Sequence, residues 1–156
     1  MYKRLFKGDH NSIATGLNNV SLIYRNLGEY QTALRFAQNS LDMFKRLFKG
    51  YHNSIARGLN NISIIHQNFG KYETALKYAQ DSLNMYKRLF EGYHNSIIRG
   101  FNNISLIYNY LGEYQTALRF ARDSLDMYKR LFKDDHPHIK TVKPNIQQID
   151  KKLNAV

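Results

Sequence analysis

Residues 8–30, GDHNSIATGLNNVSLIYRNLGEY, recur as residues 50–72, GYHNSIARGLNNISIIHQNFGKY, and again as residues 92–114, GYHNSIIRGFNNISLIYNYLGEY, each time 42 residues on. Over whole units, the first and third agree at 32 of 42 positions, and the second agrees with them at 27 and 28. Self-similarity at a fixed period of this length marks a stack of supersecondary units. The chain divides into a fragment at residues 1–8, repeats at 8–49, 50–91 and 92–133, and a tail at 134–156.

Each unit reads as two helices. Leu17, Val20, Tyr24 and Leu27 recur at three- and four-residue intervals, which places them on one face of a helix A. Ala33, Leu34, Ala37, Leu41, Phe44 and Phe48 continue the pattern in a longer helix B, with Gly50 or Gly92 where a left-handed residue ends it. Gly28, Gly70 and Gly112 sit in the turn between them, and a turn so short makes the pair antiparallel. The periodicity predicts helices over 12–27 and 30–49, 54–69 and 72–91, and 96–111 and 114–133. A hairpin of two helices cannot bury its apolar faces alone, so neighbouring pairs must stack into an all-α solenoid. Ala33, Ala75 and Ala117, with Ala37, Ala79 and Ala121, permit close helix approach, while Tyr24, His66 and Tyr108 fill wider gaps.

The two ends read differently. Ile139, Val142, Ile146, Ile149 and Leu153 form an apolar stripe opposite Gln147, Gln148, Lys151 and Lys152, the pattern of a capping helix, with Pro137 in its first turn and Pro144 as a point of kinking. At the other end MYKRLFKG (1–8) aligns with MFKRLFKG (43–50), so it reads as the tail of a truncated preceding helix B in a longer array. Self-association through the uncapped N-terminal end is the corresponding expectation.

Composition narrows the function. A hydrophobic content of 43% suffices for a packed core, and the absence of cysteine removes thiol nucleophiles, disulfides and cysteine-based zinc sites. No run of eighteen apolar residues and no secretory signal pattern is present, so a cytoplasmic protein is expected. The net charge of +11 is spread along the chain and points to an acidic partner.

The pattern L-N-N-[VI]-S-x-I-x-x-x-x-[LF]-G-x-Y-x-T-A-L-x-[FY]-A-x-x-S-L resembles the tetratricopeptide repeat, and more closely its kinesin-light-chain-like variety. The marks are Gly28, Tyr30 and Ala33 with their copies, the Leu-Asn-Asn triplet, and the loop Asp135, His136, Pro137. The unit departs from the commonest form of about 34 residues, and Leu17, Leu59 and Phe101 replace its usual tryptophan. The resemblance implies that helix A lines a concave, peptide-binding face. On that face projection places Asn18, Leu22 and Arg25, with Asn19 and Thr15 at the margin; then Arg57, Asn60, Asn61, Ile64 and Gln67; then Arg99, Asn102, Asn103, Leu106 and Asn109. Asparagine offers a donor and an acceptor to an extended backbone, and arginine holds a carboxylate bidentately. The same Asn-Asn pairs also suit inter-repeat contacts without a ligand. Leu22 stands where chaperone-tail-binding relatives carry asparagine, so a C-terminal carboxylate clamp is not expected.

The leading reading is therefore a non-enzymatic scaffold for an extended, acidic protein or peptide segment with one apolar anchor. A structural or self-assembling array with no small partner is the first alternative. The second is nucleic-acid or anionic-surface binding through a basic helix B edge, built from Lys3 and Arg4, Lys45 and Arg46, Lys87 and Arg88, and Lys129 and Arg130. Against that edge, cations in a helix's last turn are already favoured by its dipole, so nucleic acid is not the expected partner. His10, His52, His94 and His136 are one loop position copied four times, with copies roughly 10 Å apart by helix packing, too far to share a metal. His136 and His138 are two ligands without a third. No metal, cofactor or catalytic residue is expected, because repeated units present the same group at intervals and do not converge different groups on one point.

Overall fold

The computed structural model describes residues 8–132 and 137–155, except for the side chain of His138. Among the described residues lie seven helices and no strand. They are α1 (Asn11–Asn26), α2 (Tyr30–Leu47), α3 (Asn53–Asn68), α4 (Tyr72–Leu89), α5 (Asn95–Tyr110), α6 (Tyr114–Leu131) and α7 (Pro137–Asn154). Two compact units result, one with α1 to α4 and the other with α5 to α7, divided after Leu89. α1, α3 and α5 are A helices; α2, α4 and α6 are B helices. The helix B tail expected at the N-terminus, with Lys3 and Arg4, and the loop residues Asp135 and His136 lie outside the described residues.

Each A helix starts on a histidine. The Nδ1 atoms of His10, His52 and His94 accept from the backbone N–H of Ser12, Ser54 and Ser96 at 3.1, 3.2 and 3.2 Å. An imidazole thus does what a Ser or Asp side chain usually does for the unpaired amides of a first turn, and only the neutral ring can accept there. The Phe48 ring stacks on His52 with centroids 3.6 Å apart, and Phe90 stacks on His94 at the same distance. To reach its imidazole Phe48 leaves the helix for an extended conformation (φ −122°, ψ 118°). Helix B consequently ends at Leu47 and not at residue 49, and Gly50 (φ 78°) serves the loop beyond it.

The A-to-B turns close on glycine. Gly28 has φ 79°, its N–H reaches the Arg25 carbonyl at 3.0 Å, and the Glu29 N–H reaches the Tyr24 carbonyl at 2.9 Å. These two bonds satisfy the last carbonyls of α1 and need a left-handed residue between them. Gly70 and Gly112 repeat the arrangement.

Within each hairpin the helices approach on alanine and are pinned by serine. Ala33, Ala75 and Ala117 are fully buried. In the second repeat Ser63 Oγ donates to the Ala75 carbonyl and Ser82 Oγ to the Ala56 carbonyl, both at 2.8 Å. Ser105 and Ser124 make the matching bonds in the third, to Ala117 at 2.8 Å and Ile98 at 3.4 Å. In the first repeat Ser40 reaches the Ala14 carbonyl at 2.6 Å, whereas Ser21 turns to the Asn18 carbonyl of its own helix. Between the first two repeats α2 meets α3 closely: a Cβ on Gly58 would stand 3.2 Å from Leu41 Cδ1. Leu27, expected in the core stripe, is 68% exposed, because the turn carries it past the contact with α2.

α7 packs on α6 and buries Ile139, Val142 and Ile149. It continues through Pro144. Lys140 and Gln147, exposed, stand one repeat after Ile98 and Ser105, which are buried. α7 is thus polar where an A helix would otherwise meet its own helix B.

Replacing Ser63 and Ser82 together with alanine should cost roughly 2 kcal/mol, at about 1 kcal/mol for each hydroxyl bond, read as a lower urea midpoint. An unchanged midpoint would show that the pins contribute nothing. Deleting residues 138–156 uncovers Ala117, Leu118 and Ala121 and should produce aggregation or dye-binding apolar surface, measured by light scattering and anilinonaphthalene fluorescence. A soluble, equally stable truncation would contradict the covering role of α7.

Candidate functional site

The outward sides of the A helices carry the candidate groups. In the first unit Arg57 and Asn19 are exposed, and Leu22, Arg25, Asn60, Asn61 and Ile64 are half-buried. In the second unit Arg99 is exposed, and Asn102, Asn103, Leu106 and Asn109 are half-buried. α1, α3 and α5 contain no Asp or Glu at all. Their exposed charge is therefore wholly cationic, beside an apolar side chain in each repeat: Leu22, Ile64, Leu106.

Three placements differ from the projection. Asn18, expected in the open, is 5% exposed, while Asn19, expected at the margin, is the exposed one. The cause is the neighbouring helix: α1 touches α3, and Asn61 Nδ2 donates to Asn18 Oδ1 at 2.7 Å. Arg25 is turned along its own helix, giving Nε and Nη2 to Asn26 Oδ1 at 3.3 and 3.0 Å. Asn109 is met by Lys152 of α7, whose Nζ donates to its Oδ1 at 3.1 Å. That lysine adds a cation to the same side, and its signal in the sequence was its place one repeat and one residue after Asn109. Arg99 also lies near the Tyr128 phenol, whose burial raises its pKa above the ordinary 10.0 while the guanidinium opposes the rise.

The basic helix B edge is half consumed. Arg46 grips Asp9 with two bonds of 2.5 and 2.8 Å and holds that carboxyl below its ordinary value. Arg88 lies over Tyr51 at 4.7 Å, and Arg130 lies over Tyr93 at 5.2 Å. Each arginine ties the end of a helix B to the loop that opens the same repeat. The histidines of that loop are occupied as helix caps, and no group of three or more potential metal ligands is found among the described residues.

His66 escaped the sequence reading as anything but a gap-filler. Where the other repeats stack Tyr24 on Phe36 and Tyr108 on Phe120, the middle repeat stacks His66 on Tyr78 at 5.6 Å, and its Nδ1 is buried without a hydrogen bond. Burial, helped by the Lys71 ammonium, pushes the imidazole below its ordinary value of 6.5.

The sequence profile of the tetratricopeptide repeat matches residues 12–88 and, one unit on, 54–130. This chain belongs to the tetratricopeptide repeat family. Solved relatives show the same fold at low identity. A Podosopora anserina protein described as a kinesin light chain with nearly identical TPR-like repeats superposes with a TM-score of 0.85 at 13% identity, over 94% of this chain and 70% of that one. BtubC (BKLC) from P. vanneervenii gives 0.85 at 16% identity, over 96% and 60%. The TPR2AB domain of yeast Sti1, solved as a complex with pHSP90, gives 0.71 at 18%, over 94% and 49%. No curated protein sequence matches the chain.

The folded chain holds the His66 imidazole below the value it regains on unfolding, so as pH falls the unfolded state takes up this proton first. Stability is present above pH 6.5 and declines below it, toward the depressed folded-state value. His66→Tyr, the residue of the flanking repeats, should flatten the dependence of the urea midpoint on pH below 6.5. An unaltered slope would show that His66 does not contribute to it.

Proposed function

We propose that this tetratricopeptide repeat chain is a non-catalytic, cytoplasmic protein-interaction scaffold whose A-helix faces bind an extended acidic segment. The observation that carries the reading is charge: three A helices without a carboxylate project Arg57 and Arg99 beside Ile64 and Leu106. An anionic chain meets no like charge there, and an aliphatic side chain of the partner has an apolar surface to cover. The Sti1 relative is a tetratricopeptide repeat domain in complex with pHSP90, which supports a polypeptide as the kind of ligand. Among the described residues no helix is long and apolar enough to cross a membrane.

The Asn18–Asn61 bond favours a second reading, a structural array in which the asparagines join repeats. Exposed Ile23 on α1 and Leu27 just after it add to it, as apolar surface on which a second copy can pack. Light scattering over a concentration series tests that packing: association weakened by Ile23→Lys is expected, and a chain that stays monomeric, or association that Ile23→Lys leaves unchanged, would remove it. The helix B edge is a weaker candidate for nucleic acid, since Arg46, Arg88 and Arg130 already have internal partners.

Charge-assisted hydrogen bonds contribute about 1.5 to 3 kcal/mol, so Arg57→Ala with Arg99→Ala should weaken a confirmed acidic ligand at least about tenfold while leaving the helical spectrum intact. The measurement is fluorescence anisotropy at two salt concentrations. Equal binding by the double variant would contradict the assignment of this face.

A further inference from the structure

Away from the A-helix faces, the first unit holds a cavity of about 310 Å³ lined by α2, the loop after it, α3 and α4. Its floor is apolar: Ile55 and Leu59 from α3, and Met85 from α4. Around the floor stand Lys45, Arg88, Asp81 and Asn84, all exposed. This volume lies at the small end of ligand pockets, about 300 to 1,000 Å³, enough for one side chain with its flanking backbone.

The polar rim is uncommitted. Lys45, Asp81 and Asn84 make no hydrogen bond or ion pair among the described residues, although Ile55 and Leu59 beside them are buried. The Arg88 guanidinium carbon lies 4.7 Å from the centre of the Tyr51 ring, and its Nη1 donates to the Tyr51 hydroxyl. Its Nε and Nη2 edge has no partner among the described residues. A guanidinium tethered to a tyrosine, with two parallel N–H groups left over, matches a carboxylate and loses less freedom in binding one than an untethered side chain would.

Two of the lining positions set this copy apart from its neighbours. Asn84 stands where the other two have Asp42 and Asp126, so the middle copy alone lacks that carboxylate. Leu59 stands where the third has the larger Phe101. Two cations then face the single acid Asp81, and the balance is positive.

We infer that this cavity is a second docking site, on the helix B side, for an acidic segment that seats one leucine or methionine side chain on Met85 and places a neighbouring carboxylate on Arg88. The site is independent of the A-helix faces: neither Arg57 nor Arg99 lines it.

The chain's four methionines make the test direct. With methionine methyl groups labelled with carbon-13 in the full chain, the probe peptide acetyl-Glu-Leu-Asp-amide is titrated and the methyl signals followed by NMR. The Met85 signal should move saturably, and Met127, the same position one repeat later beside Asp126, should not. Arg88→Gln and, separately, Leu59→Phe should each weaken the probe at least about fivefold, whereas Arg57→Ala should change it less than about twofold. Leu59→Phe copies a side chain that the third repeat already accommodates; if it nonetheless disturbs the fold, Arg88→Gln, an exposed change, decides. A stationary Met85 signal, equal movement of Met85 and Met127, or undiminished affinity in Arg88→Gln would overturn the inference. Loss of binding in Arg57→Ala would assign the probe to the A-helix face instead.

Discussion

A seryl hydroxyl reaching the carbonyl of the opposite helix across a contact of alanines sets how near and at what rotation the two helices of a hairpin lie. In the second repeat the bonds run both ways, Ser63 to Ala75 and Ser82 to Ala56. Each is worth only about 1 kcal/mol net, but a buried hydroxyl without a partner costs more than that, so rotation of either helix is opposed on both sides. Once the inner side of helix A is committed in this way, its outward side is fixed as well. The side on which Arg57 and Ile64 stand follows from these pins.

Much of this was legible in the sequence because the repeat states it three times. The glycine after each A helix set the turn, since the two closing bonds demand positive φ at Gly28, and A-helix ends fell within one residue of expectation. Helix B was overextended because apolar periodicity cannot distinguish Phe48 packing within a helix from Phe48 leaving it to stack on His52. The serines recur at every copy, yet they look like neutral surface residues until the partner carbonyl is in view. Asn18 differs from its projected place for a similar reason: a helical projection treats one helix in isolation, whereas the neighbour decides which of two adjacent asparagines is covered.

Near-identical repeats also turn small differences into functional signals. A shared scaffold presents the same position several times, so a substitution in one copy changes chemistry without changing geometry. His66 in place of tyrosine gives the middle repeat a titratable ring whose Nδ1 is buried. Asn84 in place of aspartate removes a negative charge beside Arg88. The A helices show the opposite behaviour, sharing a complete lack of carboxylates while varying in their apolar residue among Leu22, Ile64 and Leu106. A common electrostatic requirement with variable apolar contacts suits a long anionic chain better than a single compact ligand.

The most direct measurement is site-specific photo-cross-linking, with a photoreactive phenylalanine placed at Ile64 on the A-helix face and, in a parallel protein, at the exposed Lys77 on α4. Each protein is irradiated with the peptides of a digested proteome, and the captured peptides are sequenced. Position 64 should enrich acidic peptides with an interspersed aliphatic residue, added salt should abolish the enrichment, and position 77 should show none. Equal capture at both positions, or a set at position 64 with no excess of Asp and Glu, would contradict it.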